Sequence, residues 1–258
     1  MHVGIAGTGK MGSAIARRLL ECQHRVTVWN RTADRAQPLL AQGAAWAETA
    51  AGLAGSTDMV ISMVTDEQAL DDVYLGAQGL LASDVKGKLF IDMSTVKPAK
   101  QQEIAARVAA AGASYLECPV GGSVGPAQDG KLLGFVGGAA TDLERARAVL
   151  AQLCRRVEHV GPHGAGATMK LAINLPLMVY WQTLGEALSL TAMLDQARLQ
   201  GRELPLTALA LGCFERARSR PGPLRLQPAA GLVAGAGRQG LEEIRQALRP
   251  VTPVSCRG

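Results

Sequence analysis

The sequence predicts an α/β fold: a doubly wound parallel β-sheet, followed by a smaller, truncated all-α domain. Three observations carry that expectation. Short apolar runs alternate with amphipathic segments over the first 160 residues. The first apolar run leads directly into a glycine-rich turn that opens a helical pattern. Past Gly166 the short runs stop and helical patterning takes over. Strand, helix, strand in repetition builds a parallel sheet covered on both faces, because right-handed crossovers return each strand in the same direction.

In chain order, His2–Ala6, Arg25–Trp29, Met59–Met63, Leu89–Met93, Tyr115–Glu117, Leu132–Val136 and Val157–Val160 read as strands. Met11–Glu21, Pro98–Ala111 and Asp142–Leu153 carry helical periodicity between them. From Ala167 to about Arg198 the chain has one glycine, Gly185, and one proline, Pro176, and reads as one long helix or as two broken near Pro176. Leu204–Arg218 reads as another helix. The Gly-Pro-rich stretch Gly161–Gly166 marks a hinge. The expected organisation is therefore a nucleotide-binding domain over 1–163, a partial helical domain over 164–218 and an atypical tail over 219–258. That tail has no Lys, Asp, Asn, His, Met or aromatic residue, and its narrow alphabet resembles a coding frame read out of phase.

Composition excludes several classes. Of 258 residues, 48% are hydrophobic and 19% charged, a globular balance, and no apolar run reaches the length of a membrane span. The N-terminus lacks the basic flank and cleavage site of a signal peptide. Five cysteines, odd in number, widely spaced and without a C-x-x-C pair, argue against a disulfide framework or a zinc site and suit the cytoplasm. No metal is expected. A net charge of +5 comes without a basic block or aromatic-basic interleaving, so no nucleic-acid partner is expected.

Gly7-Thr8-Gly9-Lys10-Met11-Gly12 is a G-x-G-x-x-G turn between a strand and a helix, the context in which that pattern marks a Rossmann dinucleotide site. Gly7 permits the tight turn, Gly9 lets the backbone approach a pyrophosphate, and Gly12 lets helix and strand pack closely. At the end of the second strand, where NAD-selective sites place a carboxylate, stands Asn30-Arg31-Thr32. Arg31 offers a bidentate cation and Thr32 a hydroxyl to a 2′-phosphate that a carboxylate would repel, so NADP(H) is expected over NAD(H). Met63 and Val64, ending another strand at the same edge, are expected to pack on the cofactor.

Three further motifs follow. Asp92-Met93-Ser94-Thr95-Val96-Lys97-Pro98, Glu117-Cys118-Pro119-Val120-Gly121-Gly122-Ser123, and Gly164-Ala165-Gly166 with Lys170 and Asn174 lie in the order and positions found in the β-hydroxyacid dehydrogenases, and the glycine turn fits the same family. The chain resembles that family, which includes 3-hydroxyisobutyrate dehydrogenase and the glyoxylate/succinic semialdehyde reductases, over about 1–191. The resemblance implies Lys170 as the catalytic general acid/base, Thr95 near the nicotinamide ribose, and Ser94, Gly121, Gly122, Ser123 and Asn174 as substrate-binding residues. It implies hydride transfer between NADPH and a small semialdehyde or 2-oxo acid, or in reverse oxidation of a 3-hydroxy acid, by a homo-oligomer.

The chemistry suits these residues. A carbonyl oxygen gains negative charge as hydride arrives, and an ammonium beside it stabilises that charge and donates the proton. The apolar neighbours Met169, Leu171 and Ile173 would lower the pKa of Lys170. Asn174 stands one helical turn on, on the same face. The chain also departs from the family. Glycine stands at 121 where serine is usual, no lysine follows Lys170, and the helical domain is short, as if several helices were missing. Two alternatives stay open: an NADP(H)-binding protein without turnover, and an imine reductase, against which Lys170 argues.

Overall fold

The computed structural model describes residues 1–199. Its elements are β1 (His2–Ala6), α1 (Lys10–Glu21), β2 (Arg25–Trp29), α2 (Gln37–Leu40), β3 (Ala45–Trp46), α3 (Ala50–Ser56), β4 (Met59–Ser62), α4 (Glu67–Leu75), β5 (Leu89–Asp92), α5 (Pro98–Ala110), β6 (Ser114–Glu117), β7 (Val120–Gly121), α6 (Val124–Gln128), β8 (Leu132–Gly138), α7 (Ala140–Leu153), β9 (Cys154–Gly161) and α8 (Ala165–Leu199). One compact unit spans Met1–Leu184, and a second begins at Gly185, of which the end of α8 is described. The expected helix over Leu204–Arg218 and the tail over 219–258 lie outside the described residues.

The nine strands form one sheet in the order β3-β2-β1-β4-β5-β6-β8-β7, with β9 on β8. Alternation along the strands sorts side chains into two cores, one per face. Val3, Ile5, Met59, Ile61, Leu89 and Ile91 point to one face, and Val60 and Phe90 to the other. On the first face α1 packs through Gly12, Ile15, Ala16 and Leu19, and α7 through Leu143, Ala146, Val149, Leu150 and Leu153. Helices α3, α4 and α5 cover the second. Burial on both faces is why the central strands read as unbroken apolar runs.

The sheet is mostly rather than wholly parallel: β8 runs antiparallel to β6 and β7. The link from β7 to β8 holds only the five-residue α6, too little for a crossover of a dozen or more residues, so the chain must return alongside itself. Segments β6 and β7 share one register on β8, with Leu116 opposite Gly138 and Val120 opposite Gly134. They are one strand interrupted at Pro119, which has no N–H to give the ladder. Helix α8 continues through Pro176 rather than breaking there.

From Leu171 to Trp181, α8 is apolar except for Asn174, and Leu175, Met178, Tyr180 and Trp181 are each about 60% exposed or more. No helix among the described residues is long and apolar enough to cross a membrane, and no cluster of metal-ligating side chains occurs among them.

Candidate active site

The glycine turn lies at the carboxyl edge of β1, β2 and β4, where open α/β sheets bind ligands. Gly7 takes a φ of +102°, and a Cβ there would overlap the Met63 carbonyl. A Cβ on Gly12 would overlap the Gly7 carbonyl, so α1 can start this close to β1 only through glycine. Gly9 is different: a Cβ there would meet nothing within 4 Å. That open space lies at the N-terminus of α1, which has no side-chain cap and no acidic residue in its first turn. The amides of that turn are left to an anion. Lys10 is exposed at the same turn, and Met11 packs partly into the core. The Thr8 hydroxyl is buried without a hydrogen-bond partner among the described residues.

Asn30 holds this turn to β2. Its Oδ1 accepts from the Thr8 amide (3.0 Å) and its Nδ2 donates to the Thr32 carbonyl (2.8 Å). A cleft beside it brings together Gly7, Gly9, Asn30, Arg31, Thr32, Met63 and Val64, all expected from the sequence. Trp29 and Arg35 also line it. The sequence pointed to neither; for Arg35 the usable signal is its spacing, four residues after Arg31, onto the short helical turn Ala33–Ala36. Uncapped amides, open space above Gly9 and two arginines lining the same cleft fit a phosphorylated dinucleotide.

A buried polar network supports the cleft from beneath. Asp92, at the end of β5, accepts from Ser62 Oγ (2.7 Å), Ser94 Oγ (2.8 Å) and Gln101 Nε2 (2.7 Å). Tyr115 donates to Gln101 Oε1, and Tyr74 shares a hydrogen bond with Ser62. Burial pushes the Asp92 carboxyl above its usual range, and its donors oppose that. Ser94 is fully buried, and its hydroxyl also accepts from the Val64 amide (2.9 Å). It thus faces inward and holds a cleft-lining residue, a different job from the substrate contact expected of it. Thr95 beside it is exposed. Replacing Asp92 by alanine would leave three buried donors unpaired and should cost on the order of 3 kcal/mol, read as a lower urea midpoint.

The remaining residues stand on other elements. Gly121 ends β7, with Gly122 and Ser123 exposed beyond it. Lys170 and Asn174 lie half-buried one turn apart in α8. Burial lowers the Lys170 pKa below the ordinary lysine value. The first turn of α8 is gripped by Glu117, the last residue of β6: its Oε1 accepts from the amides of Gly164 and Gly166, each at 2.7 Å. Sequence reasoning placed Glu117 in a motif without a role. Its signal was a carboxylate at the end of an apolar strand, paired with a Gly-x-Gly far along the chain.

Residues 2–161 match the family model described as the NAD binding domain of 6-phosphogluconate dehydrogenase. The chain is similar to 3-hydroxyisobutyrate dehydrogenase of Pseudomonas aeruginosa, 38% identical over 73% of this chain and 63% of that one. It is also similar to the chloroplastic glyoxylate/succinic semialdehyde reductase 2 of Arabidopsis thaliana, 34% identical over 68% of this chain and 49% of that one. The matching stretch thus spans between half and just under two-thirds of these curated relatives. Among solved structures, Psf3 in complex with NADP+ and 2-OPP aligns over 95% of both chains at 30% identity with a TM-score of 0.65. An imine reductase from Myxococcus stipitatus shares the fold alone, with a TM-score of 0.67 and 24% identity over 95% of this chain and 76% of that one. With its glycine turn, two-faced sheet and ordered motifs, the chain belongs to the family defined by the NAD binding domain of 6-phosphogluconate dehydrogenase, and the curated relatives it resembles are named dehydrogenases and reductases.

Proposed function

We propose that this chain is an NADP-dependent oxidoreductase that reduces a small semialdehyde or 2-oxo acid, and in reverse oxidises a 3-hydroxy acid, with Lys170 as general acid/base. The observation that carries this reading is a half-buried lysine of lowered pKa one helical turn past Gly166, whose amide is held by Glu117 at the end of β6. When bound, NADPH supplies the hydride. The amides of the Gly7–Gly12 turn bind its pyrophosphate, and Arg31, Thr32 and Arg35 its 2′-phosphate. Met63 and Val64 pack against it and Thr95 orients its ribose. The backbone of Gly121–Ser123 offers N–H groups to the substrate carboxylate, and Asn174 orients substrate or lysine. Lys170 Nζ stabilises the developing alkoxide and gives it a proton. NADPH oxidation with succinic semialdehyde, glyoxylate, tartronate semialdehyde and methylmalonate semialdehyde tests this. Silence on all four, with NADPH demonstrably bound, would refute it and leave the reading of a cofactor-binding protein without turnover.

Cofactor choice has its own test. Replacing Arg31 by alanine removes a charged hydrogen-bond partner worth roughly 1.5–3 kcal/mol, so NADPH affinity should fall about ten- to hundredfold. NADH affinity should hold within twofold. Equal losses for both cofactors would remove the preference for NADP. The exposed apolar side chains of α8, Leu175, Met178, Tyr180 and Trp181, favour a homo-oligomer, since such a surface needs cover.

A further inference from the structure

Glu117 is fully buried, yet it is a carboxylate. One oxygen accepts two backbone amides from the first turn of α8, and the other has no hydrogen-bond partner among the described residues. Burying a carboxylate is costly, and a helix N-terminus can be capped more cheaply by a local Ser or Asp. Here the cap comes from 47 positions earlier in the chain, on the central sheet. The fit around it is close on every side. A Cβ at Gly137, on the neighbouring strand β8, would overlap Oε1 itself. A Cβ at Gly166 would overlap the Phe135 carbonyl. Neighbouring contacts hold the hinge but not the helix: Gln102 Nε2 donates to the His163 carbonyl, and His163 Nε2 lies 2.9 Å from the Tyr115 carbonyl. The Pro162 carbonyl accepts from the Ala165 amide, and among the described residues Glu117 is the side chain that bonds backbone amides at the start of α8.

The position of this cap matters for the site. Glu117 ends β6, and the same strand line runs on through Pro119 to Gly121. Lys170 stands four residues after Gly166. One side chain therefore links the strand that delivers the Gly121–Ser123 loop to the turn that delivers the lysine.

We propose that Glu117 is a positioning residue: by accepting from the Gly164 and Gly166 amides it docks α8 on the end of β6 and fixes Lys170 relative to the Gly121–Ser123 loop. The inference rests on the assignment of Lys170 above. Burial holds the Glu117 carboxyl above its ordinary range, while the amides of Gly166, Gly164 and Ala167 and the nearby His163 draw it back. The negative charge at the positive end of a helix is favourable.

The test compares the full chain with Glu117→Ala and Glu117→Gln. Lys170 is labelled with acetic anhydride across pH and quantified by site-resolved mass spectrometry, alongside kcat and the NADPH dissociation constant. In the parent, Lys170 should label with a midpoint below that of an ordinary lysine. In Glu117→Ala the midpoint should move up as the helix undocks and the amine is hydrated. A catalytic group misplaced by about 1 Å loses rate about a hundredfold, so kcat should fall on that order while NADPH affinity stays within twofold. Glu117→Gln keeps an acceptor oxygen and should fall between. A general loss of stability would move neither the midpoint nor the kcat of the folded fraction. Unchanged labelling and kcat in Glu117→Ala overturn the proposal, and if that variant does not fold, Glu117→Gln decides in the same way. If the parent already labels Lys170 at the ordinary midpoint, or Lys170→Ala is as active as the parent, the lysine assignment itself has failed and the inference goes with it.

Discussion

Replacing Lys170 by alanine should lower kcat for semialdehyde reduction by about 10²–10⁴ while leaving NADPH affinity within twofold. The size follows from removing both the proton donor and the charge that stabilises the forming alkoxide. The selectivity follows from placement: the cleft formed by Gly7, Gly9, Asn30, Arg31 and Val64 does not include the lysine. The pH dependence has a definite sign. Burial lowers the Lys170 pKa, so the ammonium form gives way to the amine at a lower pH than for a free lysine. A proton donor must be the ammonium, so kcat for reduction should decline as pH rises through that lowered value. A base must be the amine, so kcat for oxidation should rise over the same window. Steady-state rates in both directions across pH, for parent and Lys170→Ala, check this. Limbs running the same way in both directions would assign the titration to another group.

Two glycine substitutions should separate fold from function within one six-residue turn. Gly12→Ala places a methyl group on the Gly7 carbonyl, a backbone atom that cannot swing away. It should cost about 1–3 kcal/mol of stability with no cofactor present, as overpacking does, and remove measurable NADPH binding because α1 must shift outward. Gly9→Ala adds a methyl into open space. Its thermal midpoint without cofactor should match the parent, while NADPH affinity falls steeply because the methyl occupies the pyrophosphate's place. Calorimetric melting with and without NADPH reads both effects. Equal destabilisation by the two substitutions would mean that the space above Gly9 is not a ligand site.

Much of this architecture was legible because it is local. The β1 and β2 boundaries coincide with apolar runs, and α1, α5 and α7 follow from apolar periodicity that the two cores use. Short elements were not legible. The sequence of α3 contains two glycines and is held by its Thr49 cap, while β3 is two residues of a ladder that only β2 completes. The direction of β8 depends on the length of a loop whose own helix is five residues long. At the site, Gly7, Gly9, Asn30 and Arg31 could be named because strand and turn deliver them together. Ser94 could not be told from a substrate contact, because its neighbour Val64 is 30 positions away. Glu117 and Asp92 act through partners far along the chain, and residue type alone does not distinguish a buried acceptor from an exposed one.

The claim on which the rest stands is that amides at the start of α1 hold a phosphorylated dinucleotide. Titration of the purified chain with NADPH, followed by energy transfer from Trp29 at the cleft, measures it most directly. The signal should be saturable, tighter for NADPH than for NADH and lost in Gly9→Ala. No saturable signal up to millimolar NADPH, or one indifferent to Gly9→Ala, would contradict it.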